Sequence, residues 1–435
     1  MRLSGTKTST ISTSRGLGNQ LYDLAGERPS LDLQFSDQKS LVDAATGSQP
    51  VTFTRASSGT YVDSQGVIRT ATTNEARFDH NPTTGESLGL LVEEQRTNLI
   101  LNSEDFSQNQ ATNSVSISTN QTIAPDGTST ADLVTATLAS TSNTCWVQNI
   151  ATIAPSTATY TMSCFVKQGT SPSVSFNIAM NGGTYIEAFA NFNFSTKAIG
   201  IGGGGAASAT AGYQQLGNGW FRLWLSLPNN NTGTGVTHRV YTRSEGSTNA
   251  VGDSVYLWGR QLEAGAFPTS YIPTTTAAVT RSADVASITG SNWSSWGSST
   301  TGTYYLEASV TRSSASAAKV FLGTSTSPAE SYYLYQVQNQ NDLRTFDSTT
   351  VLDTVNVISD GITFKGGIAY SSADSMRSLV LDGGAVVEGA FDGTYGTDLS
   401  IGSRIAGGAP TTGTIRRLTY WPQRLPNSTL QQITQ

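Results

Sequence analysis

"SVSFNIAM", Ser173 to Met180, alternates apolar and polar residues without a break. Side chains on a strand repeat every second residue. Val174, Phe176, Ile178 and Met180 therefore face one way, and Ser173, Ser175, Asn177 and Ala179 the other. Phe221 to Leu227, "FRLWLSL", does the same, with Phe221, Leu223, Leu225 and Leu227 inward and Arg222, Trp224 and Ser226 opposite. "SVYLWGRQLE", Ser254 to Glu263, is a further strand. Turn residues recur about every ten positions between such runs, the spacing of an antiparallel sandwich or jelly roll. No long stretch carries a helical period. The predicted fold class is all-β, built from antiparallel β-sandwiches.

The chain has 435 residues, enough for about three units at roughly 150 residues each. Charged residues make up 13%, about half the usual share. Polarity comes instead from Ser, Thr, Asn, Gln and 43 Gly. The formal net charge of −6 gives no electrostatic reason to bind nucleic acid or an anionic membrane. No apolar run approaches the length of a membrane span, and none follows Arg2 as a signal peptide would require. A soluble protein made without export is expected. Cys145 and Cys164 sit in strand-like stretches and read as two small buried residues, with a bridge between neighbouring strands left open.

Residues 1–30 lack a periodic apolar pattern and read as an extended N-terminal arm that a partner orders. Residues 31–96 form a β-rich junction region, where Asp63-Ser64-Gln65-Gly66 is a hairpin turn and Asn81 to Ser87 a loop. Residues 97–273 carry the first sandwich, with a flexible loop expected from Ile199 to Gly212. Ala266 to Val285, with two prolines and a Thr run, reads as an extended connector, the linker proper being 274–290. Residues 291–435 carry the second sandwich. Asp382-Gly383-Gly384 turns a hairpin there, and Asn427 or Ser428 caps a short terminal helical turn.

The catalytic inventory is thin. His80 and His238 are the only histidines, and no zinc-ligand spacing or nucleophile elbow accompanies them. His80, in "RFDHNP", reads as a surface loop residue. Gly202 to Gly205 lack the Lys-Ser/Thr of a phosphate loop. Glu93 and Glu94 are adjacent, so a strand would send them to opposite faces and deny them a shared pocket. Glu94 and Arg96, two apart, share a face. The expectation is a structural ion pair at a seam, not a catalytic dyad. Glu104 and Asp105 read as a solvated turn or as the one candidate site for a structural calcium ion. Trp146, Tyr185 and Trp224 are the candidate carbohydrate-binding residues, because an aromatic ring stacks on the apolar face of a pyranose. The competing reading for each is core packing.

Longer motifs carry a resemblance. "TNLILNSEDFSQ" (from Thr97) resembles the opening strand of carbohydrate-binding-module jelly rolls, and "VYLWGRQLEAG" (from Val255) their closing strand. "VTFTRASSGTYVDSQGVIRTATTNEARFDH" before them and "AFPTSYIPTTTAAVTRSADV" after them resemble the flanks of that module in a recurring tailed-bacteriophage virion protein. "GTIRRLTYWPQRL" (from Gly413) is similar to the end of a laminin-G or concanavalin-like sandwich. The resemblance implies tandem β-sandwiches, a jelly roll and then a concanavalin/laminin-G-like unit, on a phage particle. It implies a fibre or spike-type component, of head or tail, that is no enzyme. Its partners would be other virion proteins, through residues 1–30, and host-surface glycans. A homo-oligomer is expected, a trimer being one option. The alternative is a purely structural decoration or tail component without sugar binding. A polysaccharide depolymerase ranks lower, because acids are few and no long parallel repeat is present.

Overall fold

The structure is a computed structural model, and it describes residues 17–435 apart from 109–110, 141–143, 245, 312–318, 325–330, 337–341, 348–349, 392–394 and 405–409. It is almost entirely antiparallel sheet, arranged as two β-sandwiches.

The first sandwich stacks two six-stranded sheets. Sheet 1 runs in the order Ile199–Gly202, Ile186–Asn193, Ser173–Asn181, Gly235–Tyr241, Trp146–Thr152 and Ala111–Asn113. Sheet 2 runs Thr210–Gln215, Trp220–Pro228, Thr159–Gln168, Ser254–Ala264, Ala131–Ala136 and Val115–Thr122. The alternating runs set this arrangement. Val174, Phe176, Ile178 and Met180 from sheet 1 meet Phe221, Leu223, Leu225 and Leu227 from sheet 2 in one core. Each such side chain taken fully out of water contributes about 1.5–3 kcal/mol. The stretch expected as a flexible loop, Ile199 to Gly212, instead begins and ends in strands that pair with the edges of both sheets. It carries the chain from one sheet to the other. Gly203 makes that corner at φ +93°, where a Cβ would approach the Glu187 carbonyl at 2.8 Å.

The second sandwich has an eight-stranded sheet 3 and a seven-stranded sheet 4. At the centre of sheet 3, Gly413–Trp421 pairs with Thr301–Val310 on one side. On its other side it takes Leu31–Leu33 and Ser87–Val92. In sheet 4, Thr52–Thr54 pairs with Val285–Ile288. The stretch expected as a junction, 31–96, thus supplies strands to both sheets of the second sandwich. The first sandwich is inserted between them. Its chain leaves through Arg96–Asn98 and returns through Val279–Arg281, and these two segments pair as a short ribbon. The expected linker, 274–290, pairs through Val279–Arg281 and Val285–Ile288, and its first residue, Thr274, is buried, as are Tyr271 and Ile272 just before it. Registration such as Leu31 against Tyr420 spans nearly the whole chain and leaves no local pattern behind.

Residues 17–30, expected to be an arm without a core, pack on this same chain. Leu17–Ala25 is a helix. Leu21 packs with Tyr305, Val380 and Trp421 on the outer side of sheet 3, together with Leu430 and Ile433 of the terminal helix Asn427–Ile433. Leu17, Leu21, Leu24 and Ala25 recur at helical spacing, a signal too short to stand out before its docking surface is known. Residues 1–16 of the arm lie outside the described residues. The terminal helix begins after Pro426, and neither Asn427 nor Ser428 caps it. The Asn427 amide instead bonds Ser378, Glu388 and Arg424. The Asp63 turn forms as expected: its Oδ1 accepts the amides of Gln65 and Val67, and Gly66 takes φ +76°.

Five buried charges close the neck between the sandwiches. Asp284 pairs with Arg55 at 3.1 Å and with Arg77. Glu93 pairs with Arg77 at 2.8 Å and Arg281 at 3.5 Å, and accepts the amide and hydroxyl of Ser270 at 2.7 and 2.6 Å. Burial alone would raise the Glu93 carboxyl, but Arg281, Arg77 and Ser270 outweigh it and hold it down at about 2. Glu94 faces away from Glu93 and pairs with Arg96 and Lys319, so the structure makes the expected local pair. Beside the cluster, Asp79 accepts the Val62 amide at 2.7 Å. Burial, reinforced by the Glu93 charge, pushes its carboxyl up to about 6.

Asp284→Ala leaves Arg55 without its acid and Arg77 with Glu93 alone, and should cost about 3–5 kcal/mol. A denaturation midpoint unchanged from the native chain would contradict this. The pH dependence has two opposing parts. Asp79, raised in the fold, adds stability that is complete below about 3.8 and lost as pH rises through about 6. Glu93, depressed, adds stability present above about 4.5 and lost as pH falls through about 2. Asp79→Asn should therefore raise the melting temperature at pH 7.5 by several degrees and change it little at pH 4.5, as calorimetry can check.

Candidate functional site

The outward residues of sheet 1 are fixed by the same alternation that fills its core. Strand pairing aligns them in rungs across the sheet. Trp146, Tyr241, Ser175 and Asn191 form one rung, and Gln148, Arg239, Asn177 and Phe189 the next. Ile150, Thr237, Ala179 and Glu187 form a third, with Tyr185 just beyond the sheet end.

These side chains hold one another. Arg239 Nε donates to Gln148 Oε1 at 2.5 Å while its guanidinium lies 5.1 Å from the Trp146 ring centroid. Asn177 Nδ2 donates to Glu187 Oε2 at 3.1 Å, and the Tyr185 hydroxyl donates to the same oxygen at 2.5 Å. Burial, and then the bond to Glu187, raise Tyr185 to about 12, so it stays a donor across the physiological range. Tyr185 is 54% exposed, whereas Tyr241 and Phe189 are buried with ring centroids 6.2 Å apart. Two acceptors on this face have no partner among the described residues: Asn177 Oδ1 and Ser175 Oγ, in residues with no exposed surface. A buried amide oxygen without a partner costs about 1–3 kcal/mol.

Of the three candidate aromatics, Trp146 and Tyr185 share this face, at opposite corners of it. Trp224 does not. It lies on the outer face of sheet 2, across Gly212 of the neighbouring strand. The returning segment crosses that face beside it: Arg222 bonds the Thr269 carbonyl, Ser226 the Ala266 carbonyl and Thr161 the Gly265 carbonyl, while Trp224 itself is half-buried. Arg239, Gln148, Asn177 and Glu187 were missed from the sequence. "GVTHRVY" holds the signal, since Val236, His238 and Val240 point inward and place Thr237, Arg239 and Tyr241 outside.

The other candidates fall elsewhere. His238 is 3% exposed on the core side, and burial, aided by Arg260, lowers it to about 3, so it is neutral. His80 is not a surface residue; it sits in the strand Phe78–His80, 5% exposed, with Nδ1 3.0 Å from the Val62 carbonyl. Glu104 accepts the Tyr271 hydroxyl at 3.2 Å, and Asp105 Oδ1 binds the amide and hydroxyl of Ser107. The carbonyls of Asn102, Asp105 and Gln108 converge on Arg260 Nη2 at 3.0–3.1 Å. Such oxygens are calcium's ligands; a guanidinium takes them here. No group of three or more His, Cys, Asp or Glu able to hold a metal occurs among the described residues. Cys145 and Cys164 are buried and free, and burial pushes Cys164 up to about 12. No helix among the described residues is long and apolar enough to cross a membrane.

No family model matches the chain, and no curated protein does. Solved structures similar to part of it include the carbohydrate-binding module of the Ruminococcus gnavus IT-sialidase, at 14% identity over 31% of this chain and 82% of that one, with a TM-score of 0.27. The leech intramolecular trans-sialidase is similar at 17% identity over 31% of this chain and 23% of that one, TM-score 0.25. The Trypanosoma rangeli sialidase is similar at 14% identity over 31% and 22%, TM-score 0.26.

Chelation should leave the melting temperature within about a degree, because Arg260 already fills the carbonyl ring; a drop of several degrees with EDTA, reversed by calcium, would show an ion at this loop. A thiol reagent should find neither cysteine in the native chain and both after denaturation.

Proposed function

We propose that the chain is a non-enzymatic virion component that binds bacterial surface glycans through the outward face of sheet 1. What carries this reading is the combination on one face of an exposed tyrosine, a half-buried tryptophan and a row of amides and hydroxyls, two of whose acceptors are buried without partners. Sugars are bound by that mixture: ring C–H faces lie on aromatic planes, and hydroxyls exchange hydrogen bonds with fixed amides. The virion setting is supported by the sequence resemblance, which spans nearly everything after Leu31. Attachment to the particle falls to the N-terminal segment, with residues 1–16 as the docking element, since residues 17–30 are taken up by the second sandwich. Many copies on one particle, or a trimer, would raise weak single-site affinity by multivalency.

One observation favours the alternative of a purely structural component. Ile150, on the same face, is 64% exposed, which suits a protein partner better than a sugar.

The test is binding of the chain to surface polysaccharide purified from a susceptible host. Trp146→Ala and Tyr185→Ala should each weaken it at least tenfold, and Trp224→Ala should leave it within about twofold. Equal loss from Trp224→Ala would move the site to sheet 2; no binding by the native chain, multimerised on beads, would favour the structural role.

A further inference from the structure

Arg239 is the only cation on the outward rungs of sheet 1. It is held as a rigid fork. Its Nε is engaged by Gln148 and its plane lies over Trp146, while Nη1 and Nη2 have no hydrogen bond or ion pair among the described residues. A guanidinium fixed at one edge presents the other as two parallel donors, a geometry that matches a carboxylate. The acid on the same face, Glu187, does not fill it. Glu187 lies one rung along and accepts from Tyr185 and Asn177. Directly across the strand pair from Arg239 stands Asn177, whose Oδ1 is buried without a partner, and Ser175 Oγ, one rung away, is in the same state. The face therefore offers a cationic fork that no acid of the described residues fills.

We infer that the ligand is an acidic saccharide of the uronic-acid class, its carboxylate held by the Arg239 fork. This rests on the glycan-binding reading and adds the charge of the sugar to it. The hydroxyls of a neutral sugar would accept from Nη1 and Nη2 without a charge to pair with the guanidinium, whereas a carboxylate makes charge-assisted, bidentate bonds of about twice the strength.

The experiment compares the full chain on polygalacturonate, alginate and hyaluronate with the same polymers after carboxyl reduction, which keeps the backbone and removes the charge. The expected result is binding at least tenfold tighter to an acidic polymer than to its reduced form, and weaker as salt rises. Arg239→Gln should lose that preference, and Arg239→Lys, a charge without the fork, should restore only part of it. The acidic-to-reduced ratio on the native chain needs no variant to fold. Equal binding to acidic and reduced polymers, still lost in Tyr185→Ala, would overturn the acidic assignment and keep the glycan site. Failure of every polymer, acidic and neutral, would overturn both.

Discussion

The contact on which the architecture depends is the buried meeting of Glu93 and Asp284 with Arg55, Arg77 and Arg281. The five residues come from the chain before the inserted sandwich and from the chain after it. The two acids reach all three arginines only when those two stretches lie side by side. Taking them out of water costs several kcal/mol per ion, so such a cluster adds less to stability than to uniqueness. Any register that separates Glu93 from Arg281, or Asp284 from Arg55, strands a bare charge in the interior. The ribbon of Arg96–Asn98 with Val279–Arg281 adds only a few hydrogen bonds, and the cluster fixes which residues those are.

From this neck the two sandwiches are placed with little freedom. Ser270, on the returning segment, bonds Glu93 with its backbone and side chain, and the next residue, Tyr271, packs against Phe165 and Trp258 of the first sandwich. The segment thus belongs to both bodies. It occupies the outer face of sheet 2 and leaves sheet 1 as the outward side of the insert. That is why Trp224 and Trp146, equivalent by alternation alone, have different surroundings.

What was legible in the sequence was what depends on neighbours two residues apart. Ser173–Met180 and Phe221–Leu227 gave their strands, their inward sets and the all-β class, and Glu94 with Arg96 gave its pair. The pairing of Leu31–Leu33 with the far end of the chain was not legible, because nothing in three residues records a partner some 390 positions away. The helix at Leu17–Ala25 escaped for a related reason: its apolar stripe is two turns long and acquires meaning only against Trp421 and Ile433. At the face of sheet 1, aromatic residues were found because they are rare enough to notice. Arg239 was not, since an arginine between apolar residues on a strand reads as a solvated side chain until the neighbours that hold it are known.

The nesting also has a mechanical consequence. Leu31 pairs with Tyr420, and the helices that flank those strands lie against each other, so both ends of the described chain leave the second sandwich from the same side. A pull between them would meet the pair Leu31–Leu33 and Gly413–Trp421 end-on and peel its hydrogen bonds one after another. The inserted sandwich lies outside that line of tension. It enters and leaves through one short ribbon, and force reaches it only after the outer sandwich has opened. The outward face of sheet 1, carried on the insert, therefore keeps its shape under strain that already begins to unravel its support.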